Sequence, residues 1–136
     1  FKTSGGKYIA PQLIENAMKQ SRFIEQIMVI GEGEKMPAAF IQPNFEFVKE
    51  WAKIHKITLG GSNSEIASNA QVIKRIDEEV EGINEKFGHW EKIKRFELTP
   101  DVWSIDGGQL TPTLKLKRKI IKEIYKDLYV KIYGNN

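Results

Sequence analysis

Two apolar runs separated by a short glycine-rich stretch most constrain how this chain can fold. The runs cover residues 24–30 and 38–42, and residues 31–35 (GEGEK) lie between them. Short runs rich in β-branched and aromatic residues, joined by turn-forming residues, are typical of the paired strands of a β-hairpin. The sequence therefore predicts a hairpin, and the rest of the chain must pack around the small sheet that it starts.

Helical patterns surround the predicted hairpin. Pro11 is placed to start a first helix, and Asn44 is placed to cap a second helix that runs to residue 55. Apolar side chains recur every three or four positions over residues 66–87, which predicts one long amphipathic helix. Gly88 is predicted to be its C-cap.

Two further elements complete the pattern. Residues 93–98 predict another strand. A closing helix is predicted to place on one face Ile120, Ile121, Ile124, Tyr125, Leu128 and Ile132. The expected fold class is α+β, a small β-sheet (hairpin plus additional strand) flanked by helices, with a long helical insertion at about residues 62–88.

The composition is that of one ordinary globular domain, and it excludes several functions. The chain has 136 residues, 40% of them hydrophobic, and its net charge of +3 is too mild to predict nucleic-acid binding. Trp51, Trp90 and Trp103 are expected in core or interdomain contacts rather than as base-stacking platforms. The absence of cysteine excludes disulfides and thiol catalysis, and fits a cytoplasmic location. No metal site is predicted, because His55 and His89 lie far apart in the sequence.

Residues 110–118 (LTPTLKLKR) are the most informative stretch for function. Proline fixes its own φ and pushes the preceding residue towards an extended conformation. If the whole segment is extended, its side chains alternate, so Lys115 and Lys117 share a face with Thr111 and Thr113. The segment would then present a lysine on a stiff base, where its charge can meet a phosphate or a carboxylate.

The start of the last helix is basic. Glu123 is the one acidic residue between positions 115 and 126, and Asp127 follows. The basic residues in this range are Lys115, Lys117, Arg118, Lys119, Lys122 and Lys126. Such a run is usually a solvated helix face, and the alternative is a surface that meets phosphates.

Residues Ser4-Gly5-Gly6-Lys7 predict a turn near the other end of the chain. Glycine adopts positive φ at little cost and lets a ligand approach the backbone closely. A plain surface turn is the alternative interpretation.

Taken together, residues 2–11 (KTSGGKYIAP) and 110–118 (LTPTLKLKR) resemble two motifs in the C-terminal domain of adenylate-forming acyl-CoA synthetases, the long-chain fatty acid branch in particular. The resemblance implies that residues 1–136 form a single mobile C-terminal lid domain of a larger enzyme. The N-terminal adenylation domain is then absent from this chain. The hinge is expected at or just before Phe1.

The resemblance also implies roles for individual residues. Lys115 matches the lysine that contacts the acyl carboxylate and the α-phosphate during adenylation, and Lys117 is the second choice. The chain departs from many relatives at Leu114, where they have glycine before the lysine. Residues Ser4, Gly5, Gly6 and Lys7 match the loop that lines the coenzyme A route after the domain rotates.

The implied parent is an AMP-forming long-chain fatty acid–CoA ligase that uses ATP, Mg²⁺ and coenzyme A. Its implied partners are its own adenylation domain and a fatty acid, with no nucleic acid and with peripheral membrane association as a further option. The isolated 136-residue piece is expected to be inactive. Two alternatives stay open: a non-catalytic basic binding module, and the same enzyme family acting on another carboxylic acid.

Overall fold

The computed structural model describes residues 1–134, which form six α-helices, one 3₁₀ turn and three strands. The helices are α1 (Pro11–Met18), α2 (Phe45–Ile54), α3 (Asn63–Ser68), α4 (Ala70–Asn84), α5 (Arg118–Ile124) and α6 (Lys126–Tyr133). The strands are β1 (Ile24–Ile30), β2 (Ala38–Pro43) and β3 (Arg95–Leu98), and the 3₁₀ turn is His89–Glu91. The predicted α+β class is confirmed. The chain divides into a first unit, Phe1–Asp101, and a second unit that begins at Val102.

The sheet is mixed, with the strand order β1-β2-β3. The predicted hairpin is confirmed: β1 and β2 pair antiparallel, with Ile27 opposite Ile41 and a bulge between Ile24 and Gln26. β3 pairs with β2 in parallel, which brings Phe96 opposite Ala39. Parallel neighbours require a long crossover connection, and α2, α3 and α4 provide it.

The core of the first unit lies between the sheet, α1 and α4. The buried apolar side chains that these elements contribute to it are Ile14, Met18, Ile27, Val29, Ile41, Val72, Ile76 and Val80. α2 begins where the sequence predicts, because the Asn44 side chain accepts a hydrogen bond from Phe47 N at 3.1 Å.

The prediction of a single helix over residues 66–87 is wrong, because the helix is interrupted at Asn69, between α3 and α4. This residue has an extended backbone (φ −71°, ψ 124°), and its side chain caps α4 by accepting hydrogen bonds from Gln71 N and Val72 N. Asparagine competes with helical hydrogen bonding and therefore favours a cap over a helix interior. Gly88 is not the C-cap either: α4 ends at Asn84, and Gly88 precedes the 3₁₀ turn.

The predicted closing helix is also two helices, because α5 ends before Tyr125 and α6 begins after it. Of the predicted apolar face, Ile121, Tyr125 and Ile132 are buried, whereas Ile120 and Ile124 are 40% and 43% exposed. The side chain of Gln109 donates a hydrogen bond to the Tyr125 hydroxyl at 3.3 Å, and the ring of Trp103 stacks on that of Tyr125. These contacts hold the Tyr125 side chain in the interior of the second unit, at the break between the two helices.

Candidate functional site

The Ser4-Gly5-Gly6 stretch is the loop of a small hairpin closed by Thr3 and Lys7. Thr3 N donates to Lys7 O at 3.0 Å, Gly6 N donates to Thr3 O at 2.9 Å, and Gly6 has φ +81°. A turn followed by one residue at positive φ is a common three-residue hairpin connection, and glycine is the residue that adopts this φ most readily.

This first loop is held in place and open to solvent. Ser4 N donates to Glu34 O at 2.8 Å, and Gly33 N donates to Lys2 O at 2.9 Å, so the loop is fastened to the β1–β2 connection. A Cβ added to Gly5 or Gly6 would meet no atom within 4 Å. The backbone at these two glycines is therefore not covered by any other part of the first unit.

The segment around Lys115 is a second small hairpin, so the prediction of a continuous extended segment is wrong. Thr111 N donates to Lys115 O and Leu114 N donates to Thr111 O, both at 2.8 Å. Leu114 has φ +63° and is 64% exposed. Pro112 occupies the second position of the β-turn that Thr111 O and Leu114 N close. The fixed φ of proline suits this position, so proline here favours a turn and not an extended segment.

The two loops share one construction. Each begins with a threonine (Thr3, Thr111), has a residue at positive φ in the fourth position, and ends with an exposed lysine (Lys7, Lys115). In the second loop, the Thr111 hydroxyl also accepts a hydrogen bond from Lys115 N at 3.0 Å. The repeated threonine and lysine at the same spacing could have been found in the sequence, but Leu114 concealed the match by standing where the other loop has glycine.

Lys115 and Lys117 differ in their surroundings. Lys115 is exposed at the end of the hairpin, whereas Lys117 is partly buried and immediately precedes α5. The backbone N–H of Lys117 donates to Gln109 O at 2.8 Å, which ties this residue to the strand-like stretch before the loop. The greater exposure of Lys115 favours it as the residue that meets a ligand.

The three tryptophans do not share one environment. Trp103 is buried, and Trp51 is partly buried with its ring against that of Phe23 at 5.6 Å between centroids. Trp90 is 46% exposed, and Lys7 Nζ lies 5.6 Å from the centroid of its ring. The sequence analysis missed this contact, which brings the first loop to the 3₁₀ turn.

The lysine that contacts the backbone of the 3₁₀ turn, Lys94, has a lowered pKa. Burial lowers the pKa of Lys94 first, the nearby ammonium of Lys92 lowers it further, and the carboxylate of Glu81 acts in the opposite direction. Lys94 Nζ also donates to His89 O at 2.6 Å, at the start of the 3₁₀ turn. This part of the first unit is therefore basic as well as aromatic.

We expect the positive φ of Leu114 to decide which substitutions that position tolerates. Leu114→Gly should change the free energy of unfolding by less than about 1 kcal/mol, because relief of the positive φ is offset by the greater freedom of glycine in the unfolded chain. Leu114→Val should lower it by about 1–2 kcal/mol, because a β-branched residue is poorly suited to this conformation. Urea-induced unfolding measures both changes.

Leu13→Val is the matched control, since Leu13 is 67% exposed and lies in α1. Its effect should be about half a kcal/mol, from helix propensity alone. An equal effect of the two valine substitutions would contradict the role given to the backbone at Leu114.

Comparison with known proteins identifies the family of this chain. The profile of the family described as AMP-binding enzyme C-terminal domain matches residues 2–136. The chain belongs to this family. The fold of the three-stranded mixed sheet and its helices is consistent with that membership.

Individual relatives and solved structures also match this chain. The chain is 32% identical to the long-chain-fatty-acid–CoA ligase FadD15 of Mycobacterium tuberculosis, over 97% of this chain and 22% of that protein. It is 35% identical to the long-chain-fatty-acid–CoA ligase 1 of Homo sapiens, over 95% of this chain and 19% of that protein. Among solved structures, the adenylation domain of a carboxylate reductase from Mycobacterium chelonae superposes with a TM-score of 0.79 at 20% identity, over 99% of this chain and 19% of that one. The chain thus spans about a fifth of the length of the relatives that it matches.

Proposed function

We propose that this chain is the mobile C-terminal domain of an AMP-forming long-chain fatty acid–CoA ligase. The observation that carries the proposal is the pair of matching hairpins, each of which presents a lysine from one of the two motif segments. The long-chain ligases among the relatives support the substrate class. In the longer protein, the fatty acid is joined to AMP in a first step and transferred to coenzyme A in a second.

Lys115 serves the first step. A carboxylate oxygen attacks the α-phosphorus of ATP, and the bond to the leaving pyrophosphate breaks. Two anions must approach each other, so a preorganised ammonium beside them lowers the barrier. The hairpin supplies this preorganisation, because hydrogen bonds fix the backbone on both sides of the lysine.

The first loop serves the second step. The sulfur of coenzyme A attacks the acyl carbonyl carbon, and the bond to AMP breaks. The open backbone at Gly5 and Gly6 allows the pantetheine arm to pass closely, with Ser4 and Lys7 beside it. Rotation of the domain about a hinge at or before Phe1 exchanges the two loops at one reaction centre, which separates the two steps in time.

The residues present suit some of the implied ligands better than others. Backbone N–H groups and exposed lysines fit the phosphates of ATP and coenzyme A. Within residues 1–134, no group of three or more histidine, aspartate or glutamate side chains is placed to hold a metal ion. We therefore assign the Mg²⁺ ligands to the adenylation domain and to ATP itself, where the ion neutralises phosphate charge.

The remaining parts of the proposal concern location and partners. The main partner is the enzyme's own adenylation domain, and the expected location is the cytoplasm. No helix in the described part of the chain has the length and apolar character needed to cross a membrane. Peripheral membrane association of the longer protein is a separate part of the proposal.

The test is ATP–pyrophosphate exchange by the full-length protein with a panel of carboxylic acids, followed by acyl-CoA formation. The proposal predicts exchange that depends on long-chain fatty acids and thioester product that depends on coenzyme A. Exchange with aromatic or short acids instead would place the protein in the same family with another substrate. No exchange with any acid would favour a non-catalytic basic binding module.

A further inference from the structure

Leu114 lies at the exposed tip of the second hairpin, in a conformation that glycine adopts more readily. Its φ is +63°, and 64% of the residue is open to solvent. In this conformation a Cβ lies too close to a carbonyl oxygen, whereas glycine has no such clash. The local backbone therefore gives no reason for a leucine here, and the exposed side chain contributes little to the core. A strained residue of this kind points to a role outside folding.

The matching position of the first loop is a glycine. Both loops begin with a threonine and end with a lysine, but the residue before the lysine is Gly6 in one loop and Leu114 in the other. Gly6 leaves its loop open, because a Cβ there would meet no atom within 4 Å. The second loop carries an aliphatic group at the same point, so the two loops offer different surfaces to a ligand.

Hydrogen bonds hold Leu114 next to Lys115. Thr111 N donates to Lys115 O, and Leu114 N donates to Thr111 O, both at 2.8 Å. The tip is otherwise polar on its threonine side, where the hydroxyl oxygens of Thr111 and Thr113 lie 3.1 Å apart. Adjacent Cα atoms are only about 3.8 Å apart, so any site that Lys115 enters also receives the Leu114 side chain.

We propose that Leu114 excludes water from the acyl-adenylate while Lys115 is at the reaction centre. This inference rests on the proposed ligase function. The acyl-adenylate is a mixed anhydride, and water can attack its acyl carbonyl carbon as the sulfur of coenzyme A does. The water oxygen then bonds to that carbon, the bond from the carbon to the AMP oxygen breaks, and the products are the fatty acid, AMP and a proton. An aliphatic group that displaces water from the intermediate prevents this loss.

The difference between Leu114 and Gly6 agrees with the two proposed steps. In the first step the fatty acid carboxylate is the nucleophile, so a site closed to water protects the product. In the second step a thiol must reach the acyl carbon, and the open backbone at Gly6 permits this. The proposed rotation of the domain therefore exchanges a closed loop for an open one.

The experiment measures two rates in the full-length protein, with a long-chain fatty acid and without coenzyme A. ATP–pyrophosphate exchange reports formation of the acyl-adenylate, and release of AMP with free fatty acid reports its hydrolysis. Leu114→Ala removes the side chain beyond Cβ and should raise the ratio of hydrolysis to exchange about tenfold. In water that carries a heavy oxygen isotope, the label should appear in the fatty acid, because the attack is on the acyl carbon.

Three variants control this measurement. Leu114→Met keeps an apolar side chain of similar volume, and its ratio should stay within about twofold of wild type. Leu114→Gly reproduces the residue of the first loop and relieves the positive φ, and it should raise the ratio at least as much as alanine does. Leu13→Ala removes the same atoms from a 67% exposed leucine on α1 and should leave the ratio unchanged.

The outcomes separate this inference from the ligase function. An unchanged ratio in both Leu114→Ala and Leu114→Gly would overturn water exclusion while the ligase function stands. Equal falls in exchange and hydrolysis would also overturn it, because they would assign Leu114 to the adenylation step itself. Intact acyl-adenylate free in solution would show that Leu114 retains the intermediate rather than shields it. A wild-type protein that shows no exchange with any acid would overturn the ligase function.

Discussion

Replacement of Lys115 by alanine in the full-length protein should lower ATP–pyrophosphate exchange by about 10²–10³-fold. Removal of one preorganised charge-stabilising group from an active site has a cost of this order, about 3–4 kcal/mol in the activation free energy. Thioester formation from preformed acyl-adenylate should be largely kept, because the proposed cycle assigns that step to the first loop and not to Lys115. The two half-reactions are measured separately, by isotope exchange and by release of AMP.

Two further variants sharpen the measurement on Lys115. Lys117→Ala is the matched control: the side chain is partly buried two positions later, and its loss should change exchange only a few-fold. Lys115→Arg should recover only part of the activity, because a planar guanidinium is not equivalent to a compact ammonium. Normal exchange in Lys115→Ala together with a large loss in Lys117→Ala would transfer the role to Lys117.

Asn84→Ala should lower the free energy of unfolding of the chain by about 2–5 kcal/mol. Asn84 is buried at the end of α4, where its side-chain amide donates to Ile93 O at 2.9 Å and its side-chain oxygen accepts from Ile93 N at 3.0 Å. Alanine leaves both backbone groups of the buried Ile93 without these partners, and each such loss costs about 1–3 kcal/mol. Urea-induced unfolding followed by circular dichroism measures the change.

Asn69→Ala provides the comparison for Asn84. Its side chain also makes two hydrogen bonds to backbone N–H groups, but they lie at the start of α4 near solvent, where water replaces a lost partner. The expected cost is about 1 kcal/mol, as for other N-caps. Similar losses for the two asparagines would show that burial of Ile93 is not what makes Asn84 important.

Features encoded by neighbouring residues were predictable from the sequence. The β1–β2 hairpin follows from two apolar runs with turn residues between them, and the start of α2 follows from Asn44 as a cap. The breaks at Asn69 and Tyr125 were missed because apolar spacing continues across both of them. The spacing of apolar residues indicates which side chains face the core, but it does not indicate whether the helix is continuous.

The site was predictable only in part, for a related reason. Glycines identified the first loop, since positive φ is expected of them, whereas Leu114 adopts the same conformation without such a signal. The pairing of β3 with β2 and the contact of Lys7 with Trp90 join residues far apart in the chain. Nothing in the local sequence specifies which distant segment will meet which.

The parallel pairing of β3 with β2 has a consequence for how the chain reaches its native state. β1 and β2 are close in sequence and can pair early, but β3 can join only after the crossover through α2, α3 and α4 has closed, and closing a long loop costs entropy before any contact is gained. Until then, the free edge of β2, with the buried residues Ala38, Ala39, Phe40 and Ile41, is available to other chains. Synthesis from the N-terminus prolongs this interval, because β3 leaves the ribosome last among the three strands. The same strand that completes the sheet therefore also ends the period in which the nascent domain is most prone to aggregate.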